Sequence, residues 1–181
     1  MLACSGEASD FQEIKNLMTE KEEEDAIAND GATFLKTKDY WNFLSRVQYQ
    51  RRMKMNPLFT STIVAGVDQQ TGEKFVGSVD VYGTRNTGDF YATGLGLYYC
   101  QVLLQNAHSN DMSQADAIKL LEDCQRVLFY REKRCVDRIQ MCKITQAGVE
   151  IGQPYNIGSE WNLKEYSEKT NEFYRSFRIK Y

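Results

Sequence analysis

Arg51-Arg52-Met53-Lys54-Met55-Asn56-Pro57-Leu58 marks the point where the chain changes architecture. Proline has no backbone N–H and biases the residue before it away from helix, so a basic helix end must finish at or before Asn56. A strand pattern follows at Thr62-Ile63-Val64-Ala65-Gly66-Val67, then a turn at Asp68-Gln69-Gln70-Thr71-Gly72, then Phe75-Val76-Gly77-Ser78-Val79-Asp80-Val81. β-Branched runs on either side of a polar, glycine-containing turn read as a hairpin. Alternation puts Phe75, Gly77, Val79, Val81 and Gly83 on one face and Val76, Ser78, Asp80 and Tyr82 on the other. Neither face is plainly polar, so both should be covered, as in a layered arrangement of helices and sheets. Gly66, Gly77 and Gly83 inside these runs point to bulges or to close backbone approach.

Upstream, Phe11, Ile14, Leu17, Met18 and Ile27 recur mostly at helical spacing and predict a helix from Ser9 to about Ala28, with Ser9 and Gln12 in a capping-box relation. The acid-rich run from Glu20 to Asp25 reads as a solvated helix end rather than a docking motif. Asn29-Asp30-Gly31 marks a loop. A second helix is expected from Lys36 to Met55, with Tyr40, Trp41, Phe43, Leu44, Val47 and Met55 on its apolar side. Arg46, Arg51, Arg52 and Lys54 gather toward its C-terminus, where cations complement the helix dipole. Their aromatic neighbours would also suit single-stranded nucleic acid.

Downstream, Gly94-Leu95-Gly96-Leu97-Tyr98-Tyr99 imitates the start of a dinucleotide-binding turn, but Tyr99 stands where the third glycine is needed, so a tight strand-to-helix turn is the better reading. Helices are expected over Leu95–Ala107 and Ser113–Lys133, the second opened by Ser113 with Asp116 and carrying Ala117, Ile118, Leu121, Cys124, Val127 and Leu128 on one face. His108 should lie in the solvent-facing loop between them. Arg138 to Thr145 and Val149 to Ile151, joined at Gln146-Ala147-Gly148, predict a final hairpin.

A length of 181 residues suits one domain, and 42% hydrophobic content is ample for a core. The formal charge of -3 argues against nucleic acid and anionic membrane as partners. The five cysteines form no CxxC pair, and their odd number without an export signal favours reduced, mostly buried thiols in a soluble intracellular chain. With His108 the only histidine, a zinc site is not expected, and no cofactor is implied.

In order and spacing, several motifs together resemble proteasome β subunits, and among them a non-catalytic branch. These are Met1-Leu2-Ala3-Cys4-Ser5-Gly6-Glu7-Ala8-Ser9-Asp10-Phe11-Gln12, Gly77-x-Val79-Asp80-x-x-Gly83, Val127-Leu128-Phe129-Tyr130-Arg131-Glu132 and Gly148-Val149-Glu150-Ile151. The resemblance covers most of the chain and is weakest in the carboxyl tail. It implies an α+β fold of the N-terminal-nucleophile hydrolase type, a four-layer α-β-β-α sandwich. In the family a sizeable N-terminal portion precedes the segment that starts here at Met1, so the opening strands are expected to be missing and the isolated chain to expose sheet edges and aggregate. The expected domain spans residues 1–163, followed by a tail over 164–181.

Active family members use an amino-terminal threonine whose own amine accepts the proton. Here the first residue is Met1, and Thr19 and Thr33 are internal. Leu95 stands where active subunits carry the serine of a Gly-Ser-Gly turn, and leucine neither donates nor accepts a hydrogen bond. Arg131-Glu132-Lys133-Arg134-Cys135 replaces an Arg-Asp-x-x-Ser pattern, while Gly6, at the position whose N–H contributes to the oxyanion site, remains.

The resemblance therefore implies a structural, non-catalytic subunit with no catalytic residues. It would stand in stacked heptameric rings beside other proteasome α and β subunits in cytoplasm and nucleus, with no nucleic acid and no membrane. The alternative is a threonine-type peptidase subunit whose catalytic N-terminal segment is absent from this sequence. A third and weaker reading is an unrelated nucleotide-binding domain. Phe173, Tyr174, Arg175, Phe177, Arg178 and Tyr181 are the expected interaction residues, because aromatics and arginine dominate binding hot spots. The resemblance implies that this tail reaches into the opposing β ring.

Overall fold

The computed structural model describes residues 1–32 and 35–161. Its centre is a four-stranded antiparallel sheet in the order β1 (Leu2–Gly6), β2 (Thr60–Val67), β3 (Lys74–Val79) and β4 (Arg85–Thr87). The expected hairpin is β2 and β3, in unbroken register from Thr62↔Val79 to Val67↔Lys74, so its glycines mark no bulge. They mark close approach instead. At Gly83 a Cβ would lie 2.7 Å from the Ser45 carbonyl, and φ is +83°. Beyond Val79 the chain leaves the ladder, because the Asp80 carboxylate accepts the Tyr82 and Thr84 N–H groups and closes a turn.

A strand, not a helix, opens the fold. β1 pairs with β2 from Leu2↔Val64 to Gly6↔Thr60. Its five residues carry no β-branched side chain and no clean alternation, so only the neighbouring strand reveals it.

Two helices cover one face of this sheet, α1 (Ala8–Ala28) and α2 (Thr37–Met53). Ile14 and Met18 from α1 and Leu44 from α2 close on Leu58, Val64 and Val79 to form the first core. Leu44, 1% exposed, contributes about 2 kcal/mol by apolar burial. On β2 the buried residues Thr60, Thr62 and Val64 alternate with half-buried Ser61, Ile63 and Ala65. Coverage is thus full on the helical face and partial on the other.

The helix ends differ from expectation in three places. α1 begins one residue early, so Ser9 lies inside its first turn; its hydroxyl donates to Glu7, Gln12 donates to Asn16, and no Ser9–Gln12 capping box forms. α2 stops at Met53, ahead of Asn56 as Pro57 requires. Met55, assigned above to the apolar side, is instead 91% exposed. It follows the helix with φ 56°, where its N–H bonds the Arg52 carbonyl and that of Asn56 bonds Arg51. Ser45 and Gln48 occupy the buried stripe in its place, donating to the Gly83 carbonyl and to Thr60 Oγ1, each at 2.7 Å. The Glu20–Asp25 run is helical, and Glu20, Glu22, Glu23 and Glu24 are exposed.

The β2–β3 turn is fixed by Asp68. Its carboxylate accepts the Gln70 and Thr71 N–H groups and meets Lys36 Nζ at 2.6 Å. The Lys36 hydrogen bond, aided by those N–H groups, holds the carboxyl well below the usual carboxylate range. A depressed carboxyl adds stability that is present above its unfolded value near 4 and is lost as pH falls through the folded value. Asp68→Asn should therefore lower the thermal midpoint at pH 7, and the gap to wild type should shrink in acid. Melting curves at pH 7 and below pH 4 check this, and a constant gap would count against it.

The second half is α3 (Gly96–Tyr99), α4 (Gln101–Ala107) and α5 (Gln114–Arg131), followed by short strands β5 (Arg138–Ile139), β6 (Cys142–Thr145), β7 (Gly148–Ile151) and β8 (Tyr155–Asn156). The single helix expected over Leu95–Ala107 is interrupted at Cys100. Ser113 caps α5 as expected, accepting the Asp116 N–H at 3.2 Å. A second core unites Cys100, Leu104, Cys124 and Leu128. Ile118 and Leu121, expected on that core face, are exposed, because the short helices α3 and α4 reach only the stripe through Leu120, Cys124 and Leu128. His108 is half-buried beside the Phe90 ring rather than free in a loop.

The final hairpin is β6 with β7, which contacts β2; β5 pairs with β8 instead of lengthening it. All five cysteines are free. Two are buried and three half-buried, and burial pushes the Cys124 thiol up to about 11. The helices and antiparallel sheets, in separate runs, make an α+β fold.

Candidate functional site

Where β1 ends, the chain must turn sharply under the Phe59 carbonyl. Gly6 has φ +126°, and a Cβ on it would lie 2.1 Å from that oxygen, so only glycine fits. The Glu7 N–H then bonds the same carbonyl at 2.9 Å, and Asp10 accepts the Phe59 N–H at 2.8 Å, so the start of α1 is tied to the start of β2.

On the less covered face of the sheet, Ser5 reaches across to the 90s segment. The Thr93 hydroxyl donates to the Ser61 carbonyl at 3.2 Å, which leaves Ser5 as the donor in the 2.5 Å contact between Ser5 Oγ and Thr93 Oγ1. This clasp brings Gly94 and Leu95, which lead into α3, against the end of β1. Gly94 faces Ser5 so closely that a Cβ there would be 3.1 Å from Ser5 Cβ.

The result is an open cleft of ≈ 540 Å³ whose walls include Ser5, Gly6, Ser61, Leu95, Tyr98 and Arg134. Gly6 and Leu95, far apart in sequence, both line this cleft. Of the Arg131–Cys135 pattern, only Arg134 lines the cleft. Glu132 accepts from Arg134 Nε at 3.0 Å and from its N–H, which holds this carboxyl below its usual range; Cys135 packs on the second core. Thr19 borders a different cavity, beneath α1 and α2. Thr33 and the six tail residues Phe173, Tyr174, Arg175, Phe177, Arg178 and Tyr181 lie outside the described residues.

The Ser5–Thr93–Ser61 clasp escaped the sequence reading. Ser5 and Thr93 are 88 positions apart, and no local signal could have paired them.

Chemically the cleft offers backbone polarity and apolar surface. The Ser5 hydroxyl is spent on Thr93 and the Ser61 carbonyl accepts from Thr93, one oxygen of Asp80 is spent on its turn, and Arg134 is held by Glu132. Leu95 contributes no hydrogen-bonding group. At the basic end of α2 Arg51 is neutralised by Glu13, while Arg52 keeps its charge against the Tyr49 and Tyr82 rings. Among the described residues, no group of three or more histidine, cysteine, aspartate or glutamate side chains could hold a metal ion, and no helix is long and apolar enough to cross a membrane.

The structure defines an α+β chain, a sheet under two helices with a glycine-pinned cleft at its end, and residues 1–144 match the family described as Proteasome subunit. The chain belongs to that family. Its relatives include Proteasome subunit beta type-4 of Arabidopsis thaliana, 37% identical over 94% of this chain and 68% of that one. Proteasome subunit beta type-4 of Dictyostelium discoideum is 36% identical over 93% and 65% respectively. Proteasome subunit beta type-7 of Saccharomyces cerevisiae is 33% identical over 74% of this chain and 53% of its own length. The chain spans about two thirds of the length of the beta type-4 relatives, and beta type-4 is the branch that the sequence motifs resemble.

Proposed function

We propose that this chain serves as a non-catalytic structural subunit of the 20S proteasome core β ring. It would hold neighbouring α and β subunits in register within stacked heptameric rings, in cytoplasm and nucleus, and so contribute to ATP- and ubiquitin-dependent protein degradation by the whole particle. The observation that carries this reading is Leu95. It lines the same cleft as Gly6, and by the motif resemblance it stands where an active relative carries a hydroxyl, which supports a site lacking the group that assists the nucleophile.

The four-layer α-β-β-α sandwich belongs to the same proposal. Its support is the β6–β7 hairpin, which contacts β2 and sends Gln146 Nε2 to the Gln69 carbonyl at 2.9 Å. The similarity to relatives named beta type-4 supports the placement in a β ring.

A covalent probe directed at amino-terminal threonines tests the reading in the intact particle. The probe should label other β subunits and leave this one unlabelled, as read by intact mass of the separated subunits. A mass shift on this chain would instead support a threonine peptidase subunit.

A further inference from the structure

The C-terminal end of α2 presents a surface that neither core nor cleft uses. Met55 holds φ 56° and is 91% exposed. It occupies the helix-ending position that glycine fills at least cost, since a side chain there strains the backbone. Its side chain returns nothing to the fold, because it is almost wholly in solvent.

Met55 is not isolated. Met53, Tyr49 and Tyr82 are also exposed at this end of the helix, and the Arg52 guanidinium lies 6.0 Å from the Tyr49 ring and 5.7 Å from the Tyr82 ring. Two rings hold that cation in place, which lowers the entropy lost when it meets a partner. Among the described residues, Arg46, Arg52 and Lys54 form no ion pair, whereas adjacent Arg51 is held by Glu13.

Exposed methionine, tyrosine and ordered arginine are a protein-docking composition. Net charge of -3 opposes an extended polyanion. A short acidic segment places its charge only where these cations stand.

We propose that this surface docks an acidic segment of a neighbouring proteasome subunit, with Met55 entering an apolar recess between carboxylates that pair with Arg52 and Lys54. The inference rests on the assembly reading above, and it adds where one contact lies and what chemistry the partner brings.

The test uses the tagged full chain expressed in cells, with particles purified by sedimentation. Wild type should co-sediment with the particle, and benzoylphenylalanine in place of Met53 should cross-link to a segment of another subunit that carries aspartate or glutamate, as mapped by mass spectrometry. The double change Arg52→Glu with Lys54→Glu should cut incorporation about tenfold, as expected for hot-spot residues. Met55→Gly should move two readouts in opposite directions, raising the chain's thermal midpoint while lowering incorporation severalfold.

Wild type absent from the particle would overturn the assembly reading and this one with it. Wild type present but uncross-linked, or cross-linked to a segment without carboxylates, would overturn the docking site alone. So would normal incorporation of the charge-reversed chain, or a Met55→Gly variant in which stability and incorporation fall together. Saturable binding of oligouridylate at physiological salt, lost in the charge-reversed chain, would assign the surface to nucleic acid instead.

Discussion

Replacing Gly6 with alanine should destabilise the protein by about 3 kcal/mol or more, because two independent costs meet at one atom. The backbone there has φ +126°, and the new Cβ would sit 2.1 Å from the Phe59 carbonyl oxygen and 3.0 Å from Thr60 Cα. Both neighbours are backbone, so neither can rotate away. Relief would require β1 and β2 to part, at the expense of the register between Gly6 and Thr60 and of the bond from the Glu7 N–H to Phe59.

Gly31 is the control. It has φ +89°, and a Cβ added to it would meet nothing within 4 Å, so Gly31→Ala should cost only about 1 kcal/mol of backbone strain. At roughly 2–4 °C per kcal/mol for a chain of this size, Gly6→Ala should lose about 6 °C or more and Gly31→Ala only a few degrees. Scanning calorimetry or pulse proteolysis would read both, and equal losses would mean that the Phe59 overlap relaxes at little cost.

Removing residues 171–181 should leave half-particles that fail to pair. The segment concentrates Phe173, Tyr174, Phe177 and Tyr181 among Arg175 and Arg178, and large aromatic and arginine side chains in such density are costly to leave in water and effective when buried between subunits. It lies outside the described residues, and the expectation rests on composition and on the proposed place of this chain in a particle of stacked rings. Native gels and sedimentation of particles carrying the shortened chain measure it directly. Accumulation of half-particles is the expected result, and undiminished yield of the full particle would reject the idea.

Local chemistry determined much of this protein from sequence alone. Pro57 stopped α2, the Asp68–Gly72 turn set the β2–β3 hairpin, Ser113 opened α5, and the motif order identified the proteasome subunit family. Each is a signal whose cause lies within a few residues or in a pattern that repeats along one element. Tertiary structure decided what depends on distant partners. β1 became a strand only because β2 supplies its hydrogen bonds, and Ser5 met Thr93 only because two segments cross beside the sheet.

Met55 and Ile118 fit their helical stripes by period but were left exposed. A stripe shows which residues share a face; it does not show where its own helix stops, which leaves Met55 beyond Met53, or how far the opposing element extends, which leaves Ile118 uncovered. The same reason governs the cleft. Gly6 and Leu95 were each legible as an agreement with or a departure from a motif, but their meeting in one cleft, with Arg134 from an unconstrained position of its pattern, is a property of the folded chain, set by where β1 ends and where α3 begins.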